Sequence, residues 1–149
     1  MTLVQFQTAL ADLTASPELC REVRRSPETL RDRYDLTDKE QRRLAGIVAT
    51  EGMEANCMLY RANRLAPVAL NLPDTCAALG DDLTDLISAY WASEPTTDVN
   101  FLVEADRFAR YLAARGPDLG PAVRAALAVE HGHLAAKLAA ARTGRTAWR

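Results

Sequence analysis

The residues best suited to chemistry are few and scattered along the chain. His131 and His133, with Glu130 beside them, form the only group that looks like a metal-ligand set. On a helix, side chains two apart point about 200° from each other, so the two imidazoles do not readily share one ion. Zinc sites of the HExxH kind need a four-residue spacing that is missing here. The two histidines are therefore expected to be exposed or packed on a helix, and no metal site is expected. No GxSxG, no GxGxxG and no phosphate-cradling glycine loop is present. Cys/His or Ser/His partners cannot be placed from the sequence. No catalytic residue or cofactor is assigned, and a self-contained enzyme is not expected. Cys20, Cys57 and Cys76 are odd in number, far apart in sequence and free of CxxC spacing. They suggest neither a zinc ribbon nor a disulfide framework, so packed, reduced thiols in a cytoplasmic protein are the expectation.

The densest local signal runs from Tyr60 to Gly80, YRANRLAPVALNLPDTCAALG. A helix from about Gly52 would place Tyr60, Asn63 and Arg64 on one face by their three- and four-residue spacing. Pro67 removes the amide that would bond the Asn63 carbonyl, and its ring crowds that turn, which predicts a kink beside those residues. Pro73 suits the first turn of a short helix through Leu79, and Gly80 suits its stop. Two readings stay open. The bend is a place where a partner docks through Tyr60, Arg61, Asn63 and Arg64, or it only turns a corner. Pro67, Pro73 and Gly80 are structural on either reading.

A net charge of −2 and a pI of about 5.7 mean that any nucleic-acid binding would need a local basic patch. The candidates are Arg21, Arg24, Arg25, Arg42 and Arg43, with Arg31, Arg33 and Lys39 nearby. Glu22, Glu28, Asp32, Asp35, Asp38 and Glu40 interleave with them, a mixture usual for a solvated, mutually paired face.

Helices must position these residues. The apolar content is rich in alanine, and Val/Ile/Thr runs at strand spacing are missing. The expected fold is all-α: one domain, a bundle of about seven to eight helices with short connections. Residues 1–51 supply N-terminal helices, 52–135 a core, and 143–149 a mobile tail after a domain ending at 142. Thr2 is expected to cap a first helix with Leu3, Phe6, Leu10 and Leu13 inward. Ser16-Pro17-Glu18 and Ser26-Pro27-Glu28 each read as a helix start, with Ser at the N-cap and Pro at N1. Thr37 and Glu40 form a capping box for a helix carrying Leu44, Ile47 and Val48 inward. Gly52 is expected to break that helix from the next. Asp81 or Asp82 caps a helix with Leu83, Leu86, Ile87 and Tyr90. Thr96, Thr97 or Asp98 caps one with Phe101, Leu102, Phe108 and Leu112. Gly120-Pro121 opens the last, to about Arg142. The N-terminal residues show no signal-peptide pattern, and no apolar run is long enough to span a bilayer.

Tyr60-Arg61-x-Asn63, Leu72-Pro73-x-Thr75, Leu79-Gly80, Tyr90, Phe108, Tyr111-Leu112 and Leu127–Glu130 together form a longer pattern. Over roughly residues 52–135 the chain resembles a family of HvfC-like proteins that carries a DNA-binding label, and the related C protein of methanobactin biosynthesis. The resemblance implies a non-catalytic accessory protein. Such proteins pair with a TIM-barrel, multi-iron oxygenase and help present a ribosomally made precursor peptide for cysteine modification. The iron would belong to the partner. It matches at Tyr60, Arg61, Asn63, Leu72, Pro73, Thr75, Leu79 and Gly80; the chain lacks room for the second full domain of longer members. The alternative is a DNA-binding or regulatory helical domain using the arginines of residues 21–43. Leu36-Thr37 with its capping acid also resembles, less closely, the small helical subunit of protocatechuate-type extradiol dioxygenases.

Overall fold

The computed structural model describes residues 3–146, with side chains through residue 143. Nine α-helices and one 3₁₀ turn account for most of these residues, and no strand occurs among them. The all-α expectation holds. The helices gather into two compact units, Met1–Asn63 and Arg64–Arg149. The division falls within one helix, twelve residues beyond the expected junction at 51/52.

In the first unit, helix α1 spans Leu3–Ala15 and buries Ala9 and Leu13. Leu3 is 69% exposed, so the inward stripe starts later than the spacing suggested. Thr2, its expected cap, lies outside the described residues. Helix α2, Pro17–Arg25, starts as its sequence dictates: the Leu19 amide donates to Ser16 Oγ, Pro17 stands at N1 and Glu18 in the first turn. The second Ser-Pro-Glu behaves differently. Ser26, Pro27 and Glu28 make a turn, and the short helix α3, Thr29–Arg33, begins only after them with no side-chain cap. Helix α4, Asp38–Val48, has the full capping box, with the Thr37 amide on Glu40 and the Glu40 amide on Thr37. Leu44 and Val48 are buried, whereas Ile47, expected inward, is 38% exposed. These helices enclose a core of Ala9, Leu13, Leu19, Cys20, Val23, Leu30, Leu44, Val48, Met53 and Cys57.

Helix α5 runs Glu51–Asn71 and carries Pro67 inside it. The break before it lies at Ala49–Thr50. Gly52 is already helical, because Glu51 and Glu54 suit the first turn and the glycine carries only a modest propensity cost. Pro67 removes one amide without ending the helix. Asn71 Nδ2 bonds the Pro67 carbonyl at 2.8 Å near the C-terminus, where the last carbonyls lack backbone donors.

In the second unit, helix α6, Pro73–Leu79, stops at Gly80, whose φ of 55° few other residues adopt. Helix α7 spans Asp82–Ser93. Asp81 precedes it without a side-chain capping bond. Helix α8, Phe101–Ala114, is capped by Asn100. Thr97 and Asp98, expected in that role, bind the side chain of Glu104 instead. Phe101, expected in the core, is 49% exposed. A 3₁₀ turn, Gly116–Asp118, leads to helix α9, Pro121–Thr146. That helix outruns its expected end: Thr143 Oγ1 bonds back to the carbonyls of Ala139 and Ala140, so at least through Thr146 the tail is helical. Residues 147–149 lie outside the described set. Helices α6 and α8 pack on α9. Tyr90, Phe108, Leu112, Leu127 and Leu134 fill the core between them. No helix among the described residues is long and apolar enough to cross a membrane.

Candidate functional site

The four residues expected to meet a partner separate in the fold. Arg64 is 2% exposed, and its Nε lies 2.8 Å from Glu104 Oε1, itself fully buried. Its guanidinium stands 5.4 Å from the Tyr90 ring centroid and 5.8 Å from that of Trp91. A charge so enclosed stays folded in only when paired, which is why Arg64 braces the end of α5 against α8 and does not face solvent. Asn63 is exposed, so it does not share the inward face of Arg64. Tyr60 and Arg61 are half-buried, and Arg61 Nη2 bonds Glu18 Oε2 at 2.8 Å.

What the outer side of α5 does present is apolar. Ala55, Met58, Leu59 and Ala62 are all exposed, at the i, i+3, i+4, i+7 positions of one helical face, with Asn63 beside them. Met58 is 70% and Leu59 62% exposed. Helical spacing normally marks the core face. Here the core face is Met53, Cys57 and half-buried Tyr60, and a second stripe looks out.

The short motif Leu72-Pro73-x-Thr75 acquires a local cause. Helix α6 has no cap of its own, and Glu130 of α9 supplies one. Its carboxylate accepts from the Asp74 amide at 2.9 Å, the Thr75 amide at 2.8 Å and Thr75 Oγ1 at 2.6 Å. Pro73 needs no partner, having no N–H. Burial, and then the Glu130 charge, push the neighbouring Cys76 thiol upward. Glu104 of α8 acts in a similar way. Besides Arg64 it accepts from the Asp98 amide at 3.2 Å and Thr97 Oγ1 at 3.4 Å, pinning the strap before α8. Burial first, and then the Glu104 charge, raise Tyr90 to about 12, although Arg64 pulls the other way.

The histidines point apart. His131 Nε2 is 3.0 Å from Asp106 Oδ1, whose other oxygen takes Arg110, while His133 is exposed. Among the described residues no set of three or more His, Cys, Asp or Glu is arranged to hold a metal.

The arginine face is mostly spoken for. Arg21 pairs with Glu18, Arg31 with Asp38 and Arg33 with Glu22. Arg24 donates to the Val48 carbonyl at 2.8 Å and reaches Glu54. Arg25, Arg42 and Arg43 are exposed. Of the five arginines considered for nucleic acid, Arg21 and Arg24 thus serve local partners.

One pair was invisible in the sequence. Cys20 Sγ and Cys57 Sγ, separated by 37 positions, lie 3.9 Å apart, and both bond the Leu13 carbonyl, at 3.0 and 3.3 Å. That carbonyl belongs to the last turn of α1, and the residue four further on is Pro17, which has no amide to offer. The thiols take the amide's place. Burial, and then the Cys57 thiol, push Cys20 up to about 12. Both cysteines line a cleft of about 190 Å³ whose other walls include Glu18, Arg21, Arg24, Glu54 and Arg61. Backbone direction decides this meeting, and no spacing rule announces it.

Compared with models of protein families, with curated proteins and with solved structures, the chain matches none of them.

Proposed function

We propose that this chain is a non-catalytic helical accessory protein that docks on a TIM-barrel iron oxygenase and helps present a ribosomally made precursor peptide to it. The observation that carries the reading is the exposed apolar stripe Ala55, Met58, Leu59 and Ala62 on α5, with Asn63 at its end. Single exposed apolar residues are ordinary, but a continuous helical face of them suits a partner. The partner class comes from the resemblance of residues 52–135 to accessory proteins of such oxygenases. Within that pattern Leu72, Pro73, Thr75, Gly80 and Glu130 are accounted for by the cap of α6. Tyr60, Arg61 and Asn63 are left flanking the stripe. The iron and the reactive chemistry belong to the partner.

The test mixes the full chain at micromolar concentration with a TIM-barrel iron oxygenase and follows co-elution. Binding is expected, and Met58→Glu with Leu59→Glu should weaken it about 100-fold or more, since each side chain buries about 1.5–3 kcal/mol of apolar surface. Clean separation of the two wild-type proteins would overturn the reading. Duplex DNA binding that fades as salt rises, and that depends on Arg25, Arg42 and Arg43, would replace it with the nucleic-acid reading.

A further inference from the structure

We propose that Cys20 and Cys57 are a modification site: a dithiol that a small hydroperoxide entering the adjoining cleft converts to a disulfide between α2 and α5. The proposal rests on four observations. The two sulfurs are already 3.9 Å apart. Both are free, on different helices, and nearly enclosed, at 4% and 2% exposure, so large oxidants are kept out. Both also line the 190 Å³ cleft, which has room for a molecule the size of a peroxide. Finally, the shared bond to the Leu13 carbonyl holds both thiols toward one point, and so toward each other.

The chemistry balances with hydrogen peroxide as oxidant. One thiolate attacks a peroxide oxygen; an S–O bond forms, the O–O bond breaks, and the departing hydroxide leaves as water after taking up a proton. The sulfenic acid so made meets the second sulfur at contact distance. The S–S bond forms, the S–O bond breaks, and a second water leaves with the second thiol's proton. Two thiols lose two electrons and one peroxide gains them. Arg24, on the cleft wall, favours the thiolate, while burial disfavours it, so the reaction is slow beside that of an exposed low-pKa cysteine.

Cys76 stands in the other unit without a partner thiol and serves as the internal control. The experiment treats the reduced full chain with millimolar hydrogen peroxide under native conditions, then maps it by mass spectrometry. The expected product has lost two hydrogens, carries a Cys20–Cys57 cross-linked peptide and reverts on reduction by dithiothreitol. Cys76→Ser should give the same product, and Cys20→Ser and Cys57→Ser should not. If either serine variant fails to fold, the wild-type peptide map still decides. Oxygen uptake at Cys20 or Cys57 without cross-linking would overturn the proposal. So would dimers through Cys76 in place of the cross-link, or a pair that stays reduced until the chain is unfolded in urea.

Discussion

Arg64 separates a bracing role from a docking one, and a double-mutant cycle with Glu104 measures which it has. Arg64→Met removes the cation bonded to a carboxylate that is completely enclosed. What remains for Glu104 is the Asp98 amide at 3.2 Å and Thr97 Oγ1 at 3.4 Å, too little to replace a bond to a guanidinium. Leaving one member of a buried pair uncompensated costs about 3–5 kcal/mol. Glu104→Leu strands Arg64 in the same way and should cost about as much. In the double variant no charge is stranded, Met and Leu fill comparable volume, and the loss should shrink to about 1–2 kcal/mol, chiefly the Asp98 amide and the strap it holds. The coupling between the two positions should then reach about 3 kcal/mol or more. Urea unfolding followed by circular dichroism reads all four corners of the cycle, with unchanged m-values as the check that the transition stays two-state. The folded double variant should match the wild type in any binding of the proposed partner. If Arg64→Met costs less than about 1 kcal/mol, Arg64 is no brace, and if the double variant folds normally but loses the proposed partner, Arg64 is a contact residue; either result refutes the bracing role.

Other outcomes follow from the same contacts. Glu130→Ala leaves the Asp74 and Thr75 amides and Thr75 Oγ1 without their acceptor, so α6 should lose about 2–4 kcal/mol, seen as faster amide exchange at residues 74–76. Oxidising Cys20 and Cys57 closes a loop of 37 residues, worth about 4 kcal/mol, but takes both S–H donors from the Leu13 carbonyl at about 1–3 kcal/mol; the urea midpoint should rise modestly. Glu18 sits below the usual carboxylate range: burial works against that, but its own backbone amide, Arg61 and Arg21 outweigh burial. Glu28, held down by its backbone amide and Ser26, and Glu40, held down by Thr37, shift the same way. Folded values below unfolded ones mean these contributions are intact above about pH 4.5 and fade as pH falls through the lower folded values. Denaturation midpoints should therefore drop on acidification, and less steeply in Glu40→Gln.

The helices were legible because their ends are written locally. Ser16 with Pro17, Thr37 with Glu40, and Pro73 with Gly80 each meet their partners within a few residues, and each does what its type predicts. The misses share a cause as well. Ser26-Pro27-Glu28 offers the same start as Ser16-Pro17-Glu18, yet its helix waits until Thr29: Ser26 Oγ donates to Glu28 Oε2, and the Thr29 and Leu30 amides bond the Ser26 and Pro27 carbonyls as a turn. Thr97 and Asp98 look like caps for α8, but Asp98 Oδ1 accepts from the Asn100 amide, Glu104 takes the Thr97 hydroxyl and the Asp98 amide, and Asn100 caps the helix. In each case a competing bond to a residue two to seven positions away displaced the expected cap.

Which way a residue faces is harder still on α5, because two apolar stripes share the helix. Met53, Cys57 and Tyr60 read the same as Ala55, Met58, Leu59 and Ala62 to any test of periodicity, and only the neighbouring helices choose between them. The choice falls on the stripe that carries Cys57, whose thiol fills the place the amide of Pro17 leaves vacant. A proline that starts α2 thus leaves a carbonyl in α1 short of a donor, and the shortage draws in two thiols from α2 and α5. With that face of α5 turned inward, Met58 and Leu59 are carried outward. The exposed stripe is therefore a consequence of which face of α5 joins the core of the first unit. Its apolar character is not required by that fold: lysine or glutamate at 58 and 59 would satisfy the same packing and be better solvated. Apolar side chains there are not demanded by the fold of the first unit, and the proposed docking rests on them.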